Sequence, residues 1–339
     1  MRVVVTGASG ALGAGVAAAL AARGDDVTCF QRGPGPAGLR TVRGDLTDPV
    51  AVRRGLAGAE AVVHLAARVG VVGSEAAFHA ANVTGTAHVV AAARAGGVSR
   101  LVHVSSPSVA HAGQPLVGAP AGPADPARAR GAYARTKAGA ELVALGGGGD
   151  GLAVVAVRPH LVWGPGDTQL VGRIVARARA GRLALVGSGA ALVDTTYRDN
   201  AVDALLAALD AAPALAGRAL VVSNGEPRPL GDLVAAICAA AGVDGPTRHV
   251  PAALAWAAGG LAEAVWVATR RRDDPPMTRF LAEQLGTAHW FDQRETRAAL
   301  GWAPRVSLDE GFARLAAGYA AGQSSAAGGA HGTAAAPPG

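Results

Sequence analysis

Cysteine and aromatic residues are scarce in this sequence, and their scarcity excludes several classes of protein. The 339 residues contain two cysteines, Cys29 and Cys238, with no CxxC pair and no cluster of histidine and cysteine. We therefore expect neither a disulfide framework nor a metal site. Aromatic residues make up 4% of the chain, which leaves few side chains on which nucleic-acid bases could stack.

Charged residues are also few, at 17% of the chain, and the net charge is +6. One basic run, Arg270-Arg271-Arg272, is too short for the basic stripe that is typical of nucleic-acid-binding proteins. We therefore predict no nucleic-acid partner. The positive charge suits an anionic cofactor or an acidic substrate equally well.

Long hydrophobic runs are lacking as well. The chain starts with a strand-like segment rather than a charged leader and an apolar core, so we expect a cytoplasmic protein. The apolar stretch 251–269 is as long as the shortest membrane spans, about 17–25 residues, but it contains Glu263 and is largely alanine. We predict a helix that covers an apolar pocket. A peripheral membrane contact through Trp256, Trp266 and the arginines is the alternative.

What the sequence does contain is a regular alternation of two kinds of segment over its first half. Short β-branched segments alternate with alanine-rich segments of helical length. The predicted strands are 3–5, 27–30, 61–65, 100–105 and 153–157, and the predicted helices are 11–23, 49–56, 78–95 and 132–145. This alternation predicts an α/β protein with right-handed βαβ units and a Rossmann-type doubly wound parallel sheet.

The domain organisation follows from where this alternation stops. Residues 1–160 are predicted to form the Rossmann-type domain, joined by late strands and helices at about 190–225. Residues 161–320 are predicted to be mainly a substrate-binding region. The Ser-, Gly-, Ala- and Pro-rich segment 321–339 is predicted to be a disordered tail.

A glycine motif follows the first strand and opens the first helix. Its spacing is Gly-x-x-Gly-x-x-Gly, in which the first glycine permits the tight turn, the second lets the backbone approach a pyrophosphate and the third allows close helix–strand packing. Phosphate would bind to the free N–H groups of the helix N-terminus. The predicted cofactor-binding loop consists of Gly7, Ser9, Gly10, Ala11, Leu12 and Gly13.

The end of the second strand indicates which dinucleotide binds. An NAD enzyme places a carboxylate there to bind the ribose hydroxyls, whereas this chain has Gln31-Arg32. Arginine suits the 2′-phosphate of NADP. We therefore predict NADP(H), with NAD as the alternative if Arg32 merely begins an exposed loop.

Two further strand ends are predicted to contact the cofactor. Asp45 and Leu46 follow the third strand, where a carboxylate can accept a hydrogen bond from the adenine amino group. Leu65, Ala66 and Ala67 end the fourth strand and bring small side chains against the cofactor.

The predicted catalytic residues are Ser106, Tyr133 and Lys137. Tyr133 and Lys137 are four residues apart on a predicted helix, so both side chains face the same way. A free phenol has a pKa of about 10, and we expect the ammonium to lower it and allow proton exchange with a carbonyl or alcohol oxygen. Lys137 would also hold the nicotinamide ribose. Ser106 would orient the substrate oxygen, with Ser105 as the alternative; an exposed aromatic and a solvated lysine remain the simpler interpretation of the pair.

With these residues in this order, the chain resembles the extended short-chain dehydrogenase/reductase superfamily. Segments 82–86 and 158–166 resemble its helix motif and its nicotinamide-side loop, and 300–311 is similar to its C-terminal signature. The resemblance implies that Pro159, His160 and Val162 lie on the nicotinamide side, with the backbone of 160–162 at the carboxamide. It also implies a homodimer.

Within the superfamily, segments 193–200 and 223–227 are similar to the 3β-hydroxysteroid dehydrogenase branch. Segments 107–109, 163–167 and 278–285 resemble a group of bacterial reductases in that branch, which act on two-chain β-keto acids. This resemblance implies an oxidoreductase that transfers hydride from NADPH to the 3-keto group of a hydrophobic β-keto acid, giving the β-hydroxy acid.

Three other functions remain open at this point. The first is an NAD(P)-dependent 3β-hydroxysteroid or sterol dehydrogenase. The second is a nucleotide-sugar epimerase, and the third is an NADP-binding protein without catalysis. The segment between Val109 and Tyr133, which shapes the pocket entrance in such enzymes, is rich in Pro, Gly and Ala and does not identify the substrate.

Overall fold

The computed structural model describes residues 1–70, 73–111, 113–269, 271 and 275–329. The strands, in chain order, are β1 (Arg2–Thr6), β2 (Asp26–Gln31), β3 (Arg40–Arg43), β4 (Ala61–His64), β5 (Arg100–Val104), β6 (Leu116–Ala119), β7 (Ala153–Pro159), β8 (Val162–Trp163), β9 (Leu185–Val186), β10 (Leu192–Val193), β11 (Thr196–Tyr197), β12 (Ala219–Val222), β13 (Arg228–Pro229), β14 (His249–Val250) and β15 (His289–Phe291).

The helices, in chain order, are α1 (Ala11–Ala22), α2 (Pro49–Gly55), α3 (Glu75–His79), α4 (Gly85–Ala95), α5 (Gly131–Gly146), α6 (Val171–Arg179), α7 (Arg198–Ala211), α8 (Leu230–Ala240), α9 (Ala252–Ala268), α10 (Arg279–Gly286), α11 (Arg294–Leu300) and α12 (Leu308–Gly329). A π-helical turn at Ala80–Thr84 and a 3-10 turn at Pro107–Ala110 complete the described elements.

Seven parallel strands form the central sheet in the order β12-β7-β5-β4-β1-β2-β3. The chain crosses from β3 over to β4, so β1 and β4 lie side by side and their connections leave in opposite directions. In open sheets of this kind, ligands bind outside the carboxyl ends of the strands at this switch point. The predicted doubly wound parallel sheet is therefore confirmed.

The sheet is buried on both faces. Its strands consist largely of β-branched residues, and successive side chains of each strand point to opposite faces of the sheet. On one face Val3 and Val5 pack with residues of α1 and α7, such as Leu20 and Leu205. On the other face Val4 packs with the apolar residues of α2, α4 and α5. Continuous apolar strands of this kind are typical of parallel sheets covered by helices on both sides.

Part of the chain after residue 160 returns to this sheet. Strand β12 pairs with β7 and forms one edge, and α7 packs against α1. The rest builds a second, four-stranded sheet in the order β13-β10-β15-β6, which stands beside the carboxyl ends of β5 and β7. The division into domains at residue 160 stays a prediction.

Two segments differ from the predicted secondary structure. The predicted helix 78–95 is divided into α3, the π-helical turn and α4. Helix α12 continues to Gly329, so the first part of the segment predicted to be disordered is helical. The remainder, 330–339, lies outside the described residues. Among the helices that the structure describes, none is both long and apolar enough to cross a membrane.

Candidate active site

The glycine turn between β1 and α1 lies at the switch point of the sheet and is packed too tightly for side chains. Gly7 has a φ of +78°, and a Cβ atom there would lie 2.8 Å from the backbone of Ala66. A Cβ atom on Gly13 would lie 2.3 Å from the carbonyl oxygen of Gly7. On Gly10 the nearest such atom is 3.7 Å away, so the backbone there is open to a ligand. The turn therefore fits a pyrophosphate on the N-terminus of α1.

The carboxyl ends of β2 and β3 lie at the edge of the sheet where the adenosine half of a dinucleotide would bind. The Gln31 amide donates hydrogen bonds to the carbonyls of Gly33 and Pro34, which folds the loop that follows β2. Asp45 accepts hydrogen bonds from the backbone N–H and the hydroxyl of Thr47, both at 2.9 Å. The Thr47 backbone N–H lowers the pKa of Asp45, and the charge of the exposed Arg32 acts in the same direction. Arg32 and Asp45 are thus brought together, as the sequence predicts for cofactor-binding residues.

The loop after β4 is held by buried hydroxyl groups. The Thr6 hydroxyl accepts a hydrogen bond from the N–H of Ala66 at 3.1 Å and is 2.7 Å from His64 Nδ1. On the other side of the His64 ring, Nε2 lies 3.0 Å from the Thr86 hydroxyl. Burial lowers the pKa of His64 to about 3, so this histidine is neutral. The predicted segment of Leu65, Ala66 and Ala67 is thereby placed against Gly7, whereas Leu46 packs on the core near α4.

The predicted catalytic residues come together where β5 ends. Ser106 is the N-cap of the 3-10 turn, and its Oγ lies 2.9 Å from the Ser108 hydroxyl. Tyr133, in the first turn of α5, is half-buried and shares a hydrogen bond with Ser106. Ser105, Ser106 and Tyr133 line one cavity of about 270 Å³, which we call the reaction cavity. The geometry thus suits the predicted roles, and those roles stay a prediction.

Lys137 lies one turn further along α5 and is buried. Its Nζ donates a hydrogen bond to the Val104 carbonyl at 2.6 Å. Burial lowers the pKa of Lys137 to about 8, and Glu141 opposes that shift. The expectation that Lys137 lowers the pKa of Tyr133 is wrong for this structure: burial raises the pKa of the phenol, and the hydrogen bond with Ser106 opposes the rise. A phenol that keeps its proton suits a proton donor.

A buried ion pair that the sequence analysis missed supports the catalytic helix. Arg158 on β7 donates to Glu141 on α5 through Nη2–Oε1 at 2.5 Å and Nε–Oε2 at 2.8 Å, and both side chains are 1% exposed. Arg158 also donates to the carbonyls of Ala121 and Gly122. It therefore fixes the segment between Ser106 and Tyr133. The available signal was Glu141 itself, a carboxylate one turn after Lys137 on an otherwise apolar helix face.

Asn82 has a comparable role that its motif did not reveal. It lies in the π-helical turn and is 1% exposed. Its Oδ1 accepts from the N–H of Arg68 at 2.7 Å, and its Nδ2 donates to the Arg68 carbonyl at 3.1 Å and to the Thr136 hydroxyl at 3.0 Å. Asn82 thus ties the loop after β4 to the helix that carries Tyr133.

The nicotinamide-side loop differs in one respect from what the resemblance implies. Pro159 ends β7 and Val162 begins β8, beside the reaction cavity. The backbone N–H of His160 donates to the Val222 carbonyl at 2.9 Å, so it is not available for a carboxamide contact. The His160 ring lines the reaction cavity instead. The predicted carboxamide contact stays a prediction for Val162.

A switch-point glycine turn beside a Tyr-x-x-x-Lys helix is the arrangement of a dinucleotide-dependent oxidoreductase. The model of the NAD dependent epimerase/dehydratase family matches residues 3–223, and the chain belongs to this family. The residues at the glycine turn fit the dinucleotide that the family name implies.

Relatives of known name agree with this class. A 2-alkyl-3-oxoalkanoate reductase from Stenotrophomonas maltophilia (strain K279a) is 45% identical over 95% of this chain and 100% of its own length. Its namesake from Shewanella oneidensis is 39% identical over 92% of this chain and 85% of its own length. Other relatives are named 3β-hydroxysteroid dehydrogenases.

Among solved structures, a double mutant of DesIV, a dTDP-glucose 4,6-dehydratase from Streptomyces venezuelae with NAD and DAU bound, superposes with a TM-score of 0.73. It is 25% identical and covers 96% of this chain and 98% of its own. The predicted superfamily and branch are confirmed, and the chain is an oxidoreductase.

Proposed function

We propose that this protein uses NADPH to reduce the 3-keto group of a hydrophobic β-keto acid of the 2-alkyl-3-oxoalkanoate type, giving the β-hydroxy acid. The observation that carries the proposal is a much larger groove beside the reaction cavity. Tyr133 and Phe280 line both, and the groove has a volume of about 1270 Å³. The names of the two reductases that this chain is similar to support the same substrate class.

The groove has both aromatic and charged walls. Trp256 and Trp266 on α9 and Phe280 offer a surface for an alkyl chain, and six arginines and two glutamates also line the groove. A separate cavity of about 280 Å³ adjoins the reaction cavity, and its walls are mostly apolar, with Val109, Leu116 and Val221 among them. A substrate with two alkyl chains would therefore find apolar surface both in this cavity and against the aromatic residues of the groove.

The preference for NADPH rests on the end of β2. Gln31 closes its own loop and brings no carboxylate to the ribose, while Arg32 is exposed at the same edge as Asp45. A guanidinium forms strong, paired hydrogen bonds with phosphate, which suits a 2′-phosphate at this position.

The residues of the reaction cavity would divide the chemistry between them. When bound, the reduced nicotinamide supplies the hydride that forms the new C–H bond. The Ser106 hydroxyl donates a hydrogen bond to the carbonyl oxygen, and Tyr133 transfers its phenolic proton to that oxygen as it becomes negative. Lys137 would hold the nicotinamide ribose with its ammonium group, and its bond to the Val104 carbonyl fixes its position.

The test is the oxidation of NADPH and NADH by the purified protein with a 2-alkyl-3-keto acid. We expect turnover with NADPH, and a loss of about 100- to 10,000-fold in Tyr133→Phe because a general acid is removed. Tyr319→Phe, on α12 and outside the lining of the cavities described here, is the matched control and should keep its activity. Oxidation of a β-hydroxysteroid with NAD, without turnover of the keto acid, would instead support the sterol dehydrogenase alternative.

A cytoplasmic location, a homodimer and a peripheral membrane contact belong to the same proposal. Leu254, Leu261 and Val265 on α9 are exposed, at 60%, 69% and 42%, and they form an apolar surface beside the groove. A lipid surface or a second copy of the chain would contact the protein there.

A further inference from the structure

The reaction cavity contains three buried polar atoms that the proposed mechanism does not use. They are Ser105 Oγ, His111 Nε2 and His160 Nδ1, and none has a hydrogen-bond partner among the described residues. The three residues are 6%, 3% and 5% exposed. Buried polar groups normally have hydrogen-bond partners, so three unpartnered atoms on residues that line one cavity indicate a polar ligand group.

The hydrogen bonds around His160 fix the state of its free nitrogen. His289 Nε2 lies 2.9 Å from the Gln284 carbonyl, which can only accept, so Nε2 of His289 carries a proton. Neutral His289 then presents a lone pair at Nδ1, which lies 3.1 Å from His160 Nε2. His160 Nε2 must therefore donate, and Nδ1 of a neutral His160 is a bare acceptor without a partner. That nitrogen matches a ligand group that brings a proton with it.

We propose that Ser105, His111 and His160 form the subsite for the substrate carboxylate, which is bound together with one proton on His160 Nδ1. The inference rests on the proposed function, and it assigns the residues that distinguish a β-keto acid from a simple ketone. Ser105 Oγ–H donates to one carboxylate oxygen and protonated His160 Nδ1–H donates to the carboxylate. His111 Nε2 would be the third polar contact.

The bound state is the same whether the proton on His160 comes from solvent or from the substrate acid. A carboxylate anion that enters from solvent at neutral pH requires the uptake of one proton, and an acid that enters protonated releases its proton to the imidazole. In both cases the bound pair is an imidazolium and a carboxylate. His160 Nε2 then still donates to His289, so the pairing of the ring is complete.

The surroundings of His160 keep it neutral until an anion arrives. Burial lowers its pKa, and the neighbouring His289 and His111 act in the same direction, while the backbone of Asp194 opposes them. His111 is in turn faced by Glu283 and Arg130, which form an ion pair at 2.6 Å. Because these two charges compensate each other, a substrate carboxylate would be the uncompensated charge beside the imidazole.

The positions of these residues also fit the spacing of the two polar groups in a β-keto acid. In a β-keto acid one carbon separates the carboxyl carbon from the reacting carbonyl carbon, so the two polar groups must be bound side by side. Ser106 and Tyr133, which would bind the carbonyl oxygen, line the same cavity as the three unpartnered atoms, and Ser105 directly precedes Ser106. A ketone or hydroxysteroid without a neighbouring carboxylate would leave the three atoms unpaired.

The first experiment measures the reverse reaction, because β-hydroxy acids are stable in solution. The wild-type protein oxidises a 2-alkyl-3-hydroxy acid, its methyl ester and the secondary alcohol that lacks the carboxyl group, each with NADP. We expect kcat/KM to be roughly 10- to 100-fold higher for the acid, since hydrogen bonds to a charged group are lost in the other two. Equal values for the three compounds would overturn the subsite and leave the proposed function intact.

The second experiment uses the variants Ser105→Ala, His111→Gln and His160→Gln, with His79→Gln on the exposed side of α3 as the matched control. We expect each subsite variant to lose more of its kcat/KM for the acid than for the ester, and circular dichroism reports correct folding. A raised KM for NADP with an unchanged preference for the acid would assign His160 to the nicotinamide carboxamide and overturn the proposal.

The third experiment separates this inference from the proposed function. Calorimetric titration with the hydroxy acid in buffers of different ionisation enthalpy should show the uptake of about one proton per molecule bound near pH 7.5, where a carboxylic acid is ionised. His160→Gln should bind without proton uptake. Proton uptake by the wild type but not by His160→Gln would support the subsite even if the protein turned over neither the keto acid nor the hydroxy acid. Binding of the acid by the wild type without proton uptake would contradict it.

Discussion

The two sides of the active site are built in different ways. On the dinucleotide side, Gly7, Gly10 and Gly13 lie within one short turn, and the surface that would meet the cofactor is mainly backbone. On the substrate side, His160 and His289 are 129 residues apart in the sequence, and the cavity to which both belong is lined by side chains. The first side depends on the absence of side chains, whereas the second depends on long-range contacts that hold particular side chains in place.

This difference predicts that substitutions are tolerated less well on the dinucleotide side than on the substrate side. A turn that needs glycine at fixed positions tolerates little change. A cavity whose walls come from β5, β7, α10 and β15 changes whenever one of these elements moves or changes its side chains. The following predictions test this contrast, from the largest expected effect to the smallest.

The largest effect is expected for the buried ion pair behind the substrate side. Glu141→Gln leaves the Arg158 guanidinium buried without a counter-charge, and loss of one partner of a buried pair costs about 3–5 kcal/mol in the free energy of unfolding. Urea denaturation measures this loss. Glu295→Gln, which breaks the exposed pair with Arg218, should leave the urea midpoint unchanged. Equal midpoints for the two variants would show that Glu141 does not support this side.

Two alanine substitutions test the dinucleotide side. Gly13→Ala places a Cβ atom 2.3 Å from the Gly7 carbonyl, so we expect it to lower the Tm and weaken NADPH binding by roughly 100-fold or more. Gly10→Ala meets no atom closer than 3.7 Å and should keep the Tm while it still weakens binding, because its methyl group lies where the pyrophosphate approaches. Fluorescence titration with NADPH and thermal unfolding measure both properties. Unchanged NADPH affinity in Gly10→Ala would contradict the proposed cradle.

Arg32→Ser tests the choice of cofactor within the dinucleotide side. Loss of the guanidinium should raise KM for NADPH by on the order of 10-fold and leave KM for NADH unchanged, because only NADPH carries the 2′-phosphate. Steady-state kinetics with both cofactors provide the measurement. Arg53→Ser, on the exposed face of α2, is the matched control. A parallel change for both cofactors would assign Arg32 to the pyrophosphate or to the fold.

The smallest effect is expected in the pH dependence of kcat/KM. It depends on Lys137, which lies where the dinucleotide side and the substrate side meet. Burial lowers the pKa of Lys137 to about 8, so its ammonium form is complete well below pH 8 and is lost as the pH rises through 8. We expect kcat/KM for reduction to fall by about twofold between pH 7 and pH 8 and more steeply above it. The raised pKa of Tyr133 adds nothing below pH 10. Lys137→Met should give a low and flat profile, and the same alkaline limb in that variant would exclude Lys137 as its cause.

Much of the dinucleotide side could be predicted because it is local. The glycine spacing, the strand ends at Arg32 and Asp45 and the pair of Tyr133 and Lys137 depend on residues a few positions apart, and helix and strand periodicity place them. The protonation of Tyr133 could not be predicted in this way. It depends on how deeply α5 packs against β5, and burial outweighs the expected effect of the neighbouring ammonium.

The sequence by itself determined the sheet, its cofactor edge and the helix that carries Tyr133, since β-branched alternation and glycine spacing are short-range properties of the chain. The tertiary structure decided which distant side chains share the reaction cavity. Glu141 meets Arg158, and His160 meets His289, because parallel strands and their crossover helices bring remote segments to one edge of the sheet. Burial at that edge then sets the protonation of each group, and no local pattern contains that information.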